Sequence, residues 1–301
     1  IAPVLGALNG ARTIYIAPTG PLHHIPMGGL TPAPDCPPWT AGRRVVYAPS
    51  ATVLLGYCFN RPASPRRGVL ALAPNDAHLR LVQPAAERIA RMVGGAASLG
   101  EDATTAALLR RARFYRVLCF LGHAVFDRRY PMLSRLQLAD GGLHASEILR
   151  SLRLQTDLTI LAACETARSE APRGDEILGL SRAMLYAGTP SLISTLWRVH
   201  EIPTRLLIEH LMTTLGDLTA HGADFDPASA LMDAQQFLRT LTFEETRTTI
   251  ADWEVTGEIE SQLRALWAWT HPENAPQAGS RIFEHPFFWS PYVLIGERRR
   301  Q

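Results

Sequence analysis

The sequence predicts an α/β fold in which a mostly parallel β-sheet is flanked by helices on both faces. Short apolar runs typical of buried strands alternate with segments of helical periodicity from the first residues onward. The helical segments span roughly 10–15 residues, the usual length of a crossover between parallel strands. The composition, 47% hydrophobic and 19% charged, is that of a globular protein and excludes a disordered or collagen-like chain.

The strands are predicted from apolar runs bounded by turn residues. In chain order they are 13–18, 45–50, 68–74, 114–122, 156–164, 191–197 and 292–296. The run 156–164 is almost continuously apolar, so we expect that strand to be buried on both faces of the sheet.

The helices are predicted from apolar residues at helical spacing and from signals at the helix ends. Ile89 and Val93 share one face of the first helix, and Gly94 is suited to end it. Gly188 fits the end of a later helix, and Pro203 fits the first turn of the next one. In chain order the predicted helices are 84–93, 100–112, 144–152, 176–188, 202–216 and 227–241.

We expect one domain over residues 1–301, because the strands and helices alternate without an internal repeat. Residues 216–282 are less regular and are predicted to be an elaborated surface region that contains helices. Since the chain begins with Ile1 rather than Met, we expect it to be part of a longer multidomain protein.

The composition also excludes several kinds of chemistry. All 30 basic residues are arginine, so a Schiff-base or P-loop lysine is impossible. The net charge of +2 gives no support to direct nucleic-acid binding. The four cysteines include no CxxC pair, which argues against a disulfide scaffold or a thiolate zinc site. No apolar run is long enough for a membrane span. We therefore expect no cofactor, no metal and no membrane segment.

The candidate catalytic residues are His123, which directly follows the predicted strand 114–122, and Cys164, the last residue of the predicted strand 156–164. The carboxyl ends of parallel strands meet at one edge of a sheet, where the ligand sites of open α/β sheets collect. We expect the two side chains to share that edge. An imidazole can activate a neighbouring thiolate, so the pair is typical of a cysteine hydrolase. The alternative is that Cys164 is a buried apolar side chain and His123 a loop residue. Cys119, in mid-strand, is expected to be an inert core thiol.

Several segments, in this order, resemble a CHAT domain, a family of caspase-like cysteine peptidases related to separase. They are PLHHIPMGGL, VVYAPSATVL, GHAVFD, LTILAACETA, GDEILGLSRAMLYAGTPSLISTLWRV and the closing HPFFWSPYVLIG. The resemblance covers residues 12–297. It implies a caspase–hemoglobinase fold, with a central sheet and helices on both sides.

The resemblance also implies roles for individual residues. His123 would be the general base of a peptidase and Cys164 its nucleophile. The oxyanion hole would use the backbone N–H groups of Cys164 and Ala124. The family commonly has glycine at the position of Ala124, so this residue departs from the pattern, because alanine does not adopt every glycine conformation.

Four charged residues are candidates for binding the substrate. In separase-like relatives, acidic residues of the segment matching LWRVHEIPT help to bind an arginine before the scissile bond. Here that segment contains Arg198, which would favour an acidic substrate residue, and Glu201. Glu201, together with Asp175 and Glu176, would favour a basic residue, and this is the preference we expect, with Arg198 paired to Glu201. The alternative is that all four are surface charges on loops.

The residues and the resemblance together predict a cysteine endopeptidase that cleaves a protein substrate with a Cys–His dyad. The resemblance further implies a role in regulated bacterial signalling or defence. The alternative is a catalytically silent α/β protein-interaction module. The resemblance implies a cytoplasmic protein controlled by a sensor or activator outside these residues, such as tetratricopeptide repeats or a ligand-sensing module. We expect the switch to lie in the polar loops 125–135 and 165–176, which border the predicted site.

Overall fold

The structure is a computed structural model that describes residues 6, 8–31, 36, 38–127, 129–165, 176–216, 225–253 and 256–298. Within these ranges, the side chains of residues 163–165, 176–178 and 256–257 lie outside the description.

The described residues form a single ten-stranded sheet. In chain order its strands are β1 (Thr13–Ile16), β2 (Arg44–Tyr47), β3 (Arg67–Ala73), β4 (Gly95–Leu99), β5 (Tyr115–Val125), β6 (Arg135–Leu138), β7 (Gly141–His144), β8 (Leu158–Glu165), β9 (Leu192–Thr195) and β10 (Tyr292–Ile295). Eight strands lie side by side in the order β1-β2-β10-β9-β8-β5-β3-β4, and only the β9–β10 pair in this row is antiparallel. β6 and β7 form an antiparallel hairpin that pairs with the end of β5.

Helices connect the strands and cover the sheet. In chain order the described helices are α1 (Ala51–Val53), α2 (Val82–Val93), α3 (Thr105–Arg111), α4 (Ala145–Ser151), α5 (Glu176–Ala187), α6 (Glu201–Leu215), α7 (Pro227–Thr240), α8 (Phe243–Thr249), α9 (Thr256–Thr270) and α10 (Pro286–Trp289). Several begin at side-chain caps: Asp226, for example, accepts a hydrogen bond from the backbone N–H of Ser229 at the start of α7.

Two hydrophobic cores cover the two faces of the sheet, and β5 contributes to both. Cys119 and Leu121 belong to the core formed with α2, α6 and α7, whereas Leu118 and Phe120 belong to the core formed with α4 and α5. This alternation follows from the period of two along a strand. The α/β architecture predicted from the sequence, a mostly parallel sheet with helices on both faces, is thus confirmed.

Several elements were not predicted from the sequence, among them β4, the hairpin β6–β7 and α8. The glycine pair at 94–95 does end α2, with a φ of 74° at Gly94, but Gly95 also begins β4. A methyl group on Gly95 would overlap the backbone of Val69, so glycine permits β3 and β4 to approach each other. The hairpin β6–β7 lies in a stretch for which no strand was predicted. The segment that forms α8 was interpreted as irregular, although Thr242 and Glu245 form a capping box at its start.

Two further structural findings concern membranes and metals. No helix in the described ranges is both long enough and apolar enough to cross a bilayer. The described His, Cys, Asp and Glu side chains form no group of three or more that could hold a metal ion.

Candidate functional site

His123 and Cys164 lie opposite each other in the parallel register of β5 and β8. Paired positions of neighbouring strands share a face of the sheet, and the strands are about 4.8 Å apart. The structure therefore brings the two backbones together at the carboxyl edge of the sheet. The thiol of Cys164 lies outside the described side chains.

Both residues lie inside their strands, so the prediction that His123 directly follows its strand was wrong, while Cys164 lies within its strand as predicted. β5 continues through His123 to Val125, because the hairpin strand β6 pairs with Ala124 and Val125. β8 likewise continues through Cys164 to Glu165. Strand pairing thus restrains the backbone at both candidate catalytic positions.

The imidazole of His123 is nearly buried and contacts a carboxylate. Its Nε2 lies 3.1 Å from Oδ2 of Asp76, in the loop after β3, on the opposite side of β5 from β8. Its Nδ1 is buried and has no hydrogen-bond partner among the described residues. A carboxylate beside Nε2 favours the tautomer that carries the proton there, which leaves Nδ1 as the basic nitrogen.

Asp76 is itself held in place by a tight turn. Its Oδ1 accepts a hydrogen bond from the backbone N–H of His78 at 2.7 Å, and its carbonyl oxygen accepts one from Leu79 at 3.3 Å. The carboxylate is therefore oriented before any substrate binds. Asp76 was not predicted as a site residue, although it follows the predicted strand 68–74 and so satisfies the same carboxyl-edge rule that identified His123.

Ala124 is buried in β5, where it pairs with Leu136 of β6 and Glu165 of β8. An extended strand is open to any L-residue, so alanine in place of the family's glycine requires no strained backbone here. The use of its N–H in an oxyanion hole stays a prediction.

Glu201 is the first residue of α6 and lies at a narrow pocket beside β5 and β8. Its Oε1 accepts a hydrogen bond from the backbone N–H of Leu81 at 3.4 Å. Burial raises the pKa of Glu201 to about 7; the charge of Asp76 also raises it, while the Leu81 hydrogen bond and the charges of Arg205 and Arg80 lower it.

The pocket at Glu201 is small. Its lining residues are Leu79, Leu81, Val82, Ala85, Leu121, Gly122, Ala162, Glu201, Thr204 and Arg205. Its volume is about 20 Å³, which is room for a single water molecule. The pocket therefore does not admit an arginine side chain in this state.

The other three predicted substrate-binding residues are not brought to this pocket by any described contact. Arg198 is exposed, and the expected ion pair between Arg198 and Glu201 is not present among the described contacts. Burial and the charge of Arg198 lower the pKa of the neighbouring His200. Asp175 lies outside the described residues, and Glu176 is described only by its backbone, at the start of α5.

A larger cavity, about 330 Å³ in volume, opens directly on His123. It lies between the loops after β3 and β4, the end of β5 and the β6–β7 hairpin. Its lining residues are Pro74, Asn75, Asp76, Glu101, Gly122, His123, Gln137, Leu138 and Ala139. Two of these side chains are acidic, and no arginine lines the cavity.

The described cysteines elsewhere in the chain contrast with the candidate nucleophile. Cys119 and Cys58 are buried, and burial raises the pKa of their thiols to about 12 and about 11. Such thiols are almost entirely protonated at neutral pH and react slowly. The prediction that Cys119 is an inert core thiol is confirmed as far as burial goes, while Cys36 is exposed.

The loop after β5 packs against α5. Asp127 organises this loop: its backbone N–H donates to Oγ of Ser134 at 3.0 Å, and its Oδ1 accepts from two backbone N–H groups that follow it. Gly179 in α5 approaches Pro131 so closely that a methyl group on Gly179 would overlap the carbonyl oxygen of Pro131. Residues 166–175, most of the second predicted switch loop, lie outside the described residues.

Comparison with known proteins finds one matching family model and two solved structures of low structural similarity. A family model described as the CHAT domain matches residues 1–297. Two crystal structures of the Saccharomyces cerevisiae separase–securin complex each align with 71% of this chain. The sequence identities are 14% and 15%, the TM-scores 0.49 and 0.46, and the chain spans only 14% and 13% of the matched chains. The sequence matches no curated protein.

The fold and the site define the class of protein: an α/β protein with a mostly parallel sheet and a paired histidine and cysteine at its carboxyl edge. Since the family model covers nearly the whole chain, the particular family follows. The chain belongs to the CHAT domain family.

Proposed function

We propose that this chain is a cysteine endopeptidase that cleaves a protein substrate, with Cys164 as the nucleophile and His123 as the general base. The observation that carries the proposal is the pairing of His123 with Cys164 in neighbouring parallel strands. The contact of Nε2 with Asp76 adds to it, because it leaves Nδ1 available as a base.

In the proposed reaction, Nδ1 of His123 takes the thiol proton, and the thiolate attacks the carbonyl carbon of the scissile peptide bond. The backbone N–H groups of Cys164 and Ala124 stabilise the resulting oxyanion. The C–N bond then breaks, the imidazolium protonates the leaving amine, and a thioester to Cys164 remains. The imidazole next takes a proton from water, which attacks the thioester. The products are a free carboxylic acid and the regenerated thiol.

Asp76 acts in this scheme as a positioning residue for His123. Its turn contacts fix the carboxylate, and the 3.1 Å contact with Nε2 holds the imidazole in one orientation and tautomer. The negative charge also stabilises the imidazolium that forms in the first step.

Glu201 is proposed to select arginine or lysine before the scissile bond. Its carboxyl lies at a largely apolar pocket beside β8, the strand that carries Cys164. A basic side chain that enters the pocket would pair with the carboxylate and pack its methylene groups against the apolar walls. The pocket must widen first, since it now holds about 20 Å³.

The small size of this pocket supports a regulated enzyme. We include in the proposal a sensor or activator, outside these residues, that shifts the loops bordering the site and opens the pocket. A role in bacterial signalling or defence would fit such control.

The nucleophile is tested with a peptidyl acyloxymethyl ketone that carries arginine next to the reactive ketone. We expect it to label Cys164 of the intact chain, and Cys164→Ala to abolish labelling and lower peptide cleavage at least about 1000-fold. Cys119→Ala is the matched control, because this buried cysteine lies on the neighbouring strand. It should keep both activities and lose about 1 kcal/mol of stability to a small cavity.

Two results would contradict the assignment. Full cleavage by Cys164→Ala would exclude Cys164 as the nucleophile. A second reagent with glycine next to the ketone does not need the Glu201 pocket to widen. Labelling of Cys164 by both reagents no faster than that of the exposed Cys36, with no cleavage of peptides that carry either residue before the cut, would indicate a silent interaction module instead.

A further inference from the structure

We propose that the cavity beside His123 binds the substrate residues that follow the scissile bond, and that Glu101 selects a basic side chain among them. The inference rests on the proposed peptidase function and names the substrate class for the opposite side of the cut. The ligand is a polypeptide segment with arginine or lysine at the second position after the scissile bond.

The order of the strands fixes the order of the candidate site residues along the carboxyl edge of the sheet. β9, β8, β5, β3 and β4 are neighbours in that order, and all four neighbouring pairs are parallel. Their carboxyl ends therefore present, along one edge, the segment 198–201, Cys164, His123, Asp76 and Glu101. At about 4.8 Å per strand, the loop with Glu101 is about 10 Å from His123 along the edge.

The chemistry fixes which end of the substrate lies on which side. The general acid protonates the nitrogen of the scissile bond, and that nitrogen belongs to the first residue after the cut. This residue must therefore lie against His123, while the residue before the cut lies on the β9 side, at Glu201. An extended peptide advances about 3.3 to 3.6 Å per residue, so the first three residues after the cut span the distance to the loop of Glu101.

The cavity has the size and charge for such a segment. Its volume is about 330 Å³, and its lining includes two carboxylates and no arginine. Both oxygens of Asp76 are engaged, one by His123 and one by the backbone of His78. Glu101 is exposed and makes no hydrogen bond or ion pair within the described part of the chain, so its carboxylate is available to a guanidinium or ammonium group. Leu138 and Ala139 offer an apolar wall to the stem of that side chain.

The test uses three peptides that share arginine before the cut and differ only at the second position after it, which is arginine, glutamine or glutamate. For the intact chain we expect kcat/KM to fall about fivefold from the arginine to the glutamine peptide, and about fivefold again from the glutamine to the glutamate peptide. A change of about this size is expected from one partly exposed ion pair. Glu101→Arg should reverse the order. Asp102→Arg, on the same turn but outside the cavity lining, is the matched control and should keep it.

The same peptides are also measured as competitors of Cys164 labelling by iodoacetamide, which reports occupancy of the site rather than the rate of cleavage. The same order of affinities there supports the proposal. Equal values for the three peptides, or an order that Glu101→Arg leaves unchanged, would overturn it while the peptidase function stands. If the acyloxymethyl ketone does not label Cys164 and no peptide is cleaved, the peptidase function fails, and this inference fails with it.

Discussion

The two sides of the His123–Cys164 pair carry acidic residues in very different surroundings. On the β9 side, Glu201 lies at a pocket of about 20 Å³, and burial raises its pKa to about 7. On the β3–β4 side, Asp76 and Glu101 line an open cavity of about 330 Å³. One side has room for a single water molecule and a carboxyl whose charge depends on pH near neutrality, whereas the other already has room for a peptide segment.

The difference indicates which part of substrate recognition needs a conformational change. A polypeptide can enter the open cavity without rearrangement, but a basic side chain reaches Glu201 only after the pocket widens. In the proposed function, control is therefore expected to act on recognition of the residue before the cut. The following predictions test this asymmetry, beginning with the group that separates the two sides.

The largest effect is expected from Asp76→Ala, because it removes the carboxylate that holds His123. We expect kcat to fall about 10- to 100-fold with little change in KM, which is typical of losing a residue that orients a catalytic group. The ¹⁵N shifts of His123 should show a mixture of tautomers in place of the form protonated at Nε2. Glu101→Gln, in the same cavity, is the control and should keep kcat for a substrate with neutral residues after the cut. If His123 keeps the same tautomer in Asp76→Ala, then Asp76 does not position His123.

The next largest effect is a pH dependence of kcat/KM that arises only from Glu201, on the β9 side of the site. Glu201 is neutral below its pKa of about 7 and ionised above it. For substrates with arginine before the cut, kcat/KM should therefore rise as pH increases through about 7, by about tenfold relative to substrates with a neutral residue there. Glu201→Gln should abolish this relative rise. If the rise persists in the variant, another group selects the basic residue.

The smallest effect is on stability. The pKa of Glu201 is raised from its usual value of 4.5 to about 7, so the folded state keeps a proton that the unfolded state has released. Stability contributed by the neutral carboxyl is present below pH 4.5 and is lost as pH rises through 7. At pH 8, Glu201→Gln should raise the free energy of unfolding by about 1 to 2 kcal/mol, after a discount for solvent screening. Urea unfolding at pH 4 should show no gain, and the exposed Glu101→Gln should show none at either pH.

Much of the fold follows from local sequence patterns, and the misses have physical causes. Long apolar runs such as the one around Phe120 identify buried strands because both faces must be apolar. β4 contains mainly small residues and begins with Gly95, a residue that usually indicates a turn, and only its tight approach to Val69 explains the strand. The strands of the hairpin β6–β7 have four residues each and depend on pairing with β5.

The candidate site was partly predictable for a related reason. The carboxyl-edge rule identified His123 and Cys164 once their strands were predicted. The same rule applied to the strand before them would have identified Asp76. Glu101 can be identified as a site residue only if β4 is predicted, and the sequence patterns did not predict β4. The acidic cavity could therefore not be predicted from sequence patterns alone. The burial of Glu201 depends on contacts with Leu81 and its neighbours that are distant along the chain.

The contact between Gly179 and Pro131 has a mechanical consequence for the whole site. Pro131 lies in the segment that follows the histidine strand, and Gly179 lies in the helix that follows the cysteine strand and its loop. With no side chain between them, neither backbone can accommodate a displacement of the other through a rotamer change. A displacement of either segment is therefore expected to displace the other. In the proposed function, a partner protein that binds either segment is therefore expected to displace both, so one point of attachment can serve as the control site.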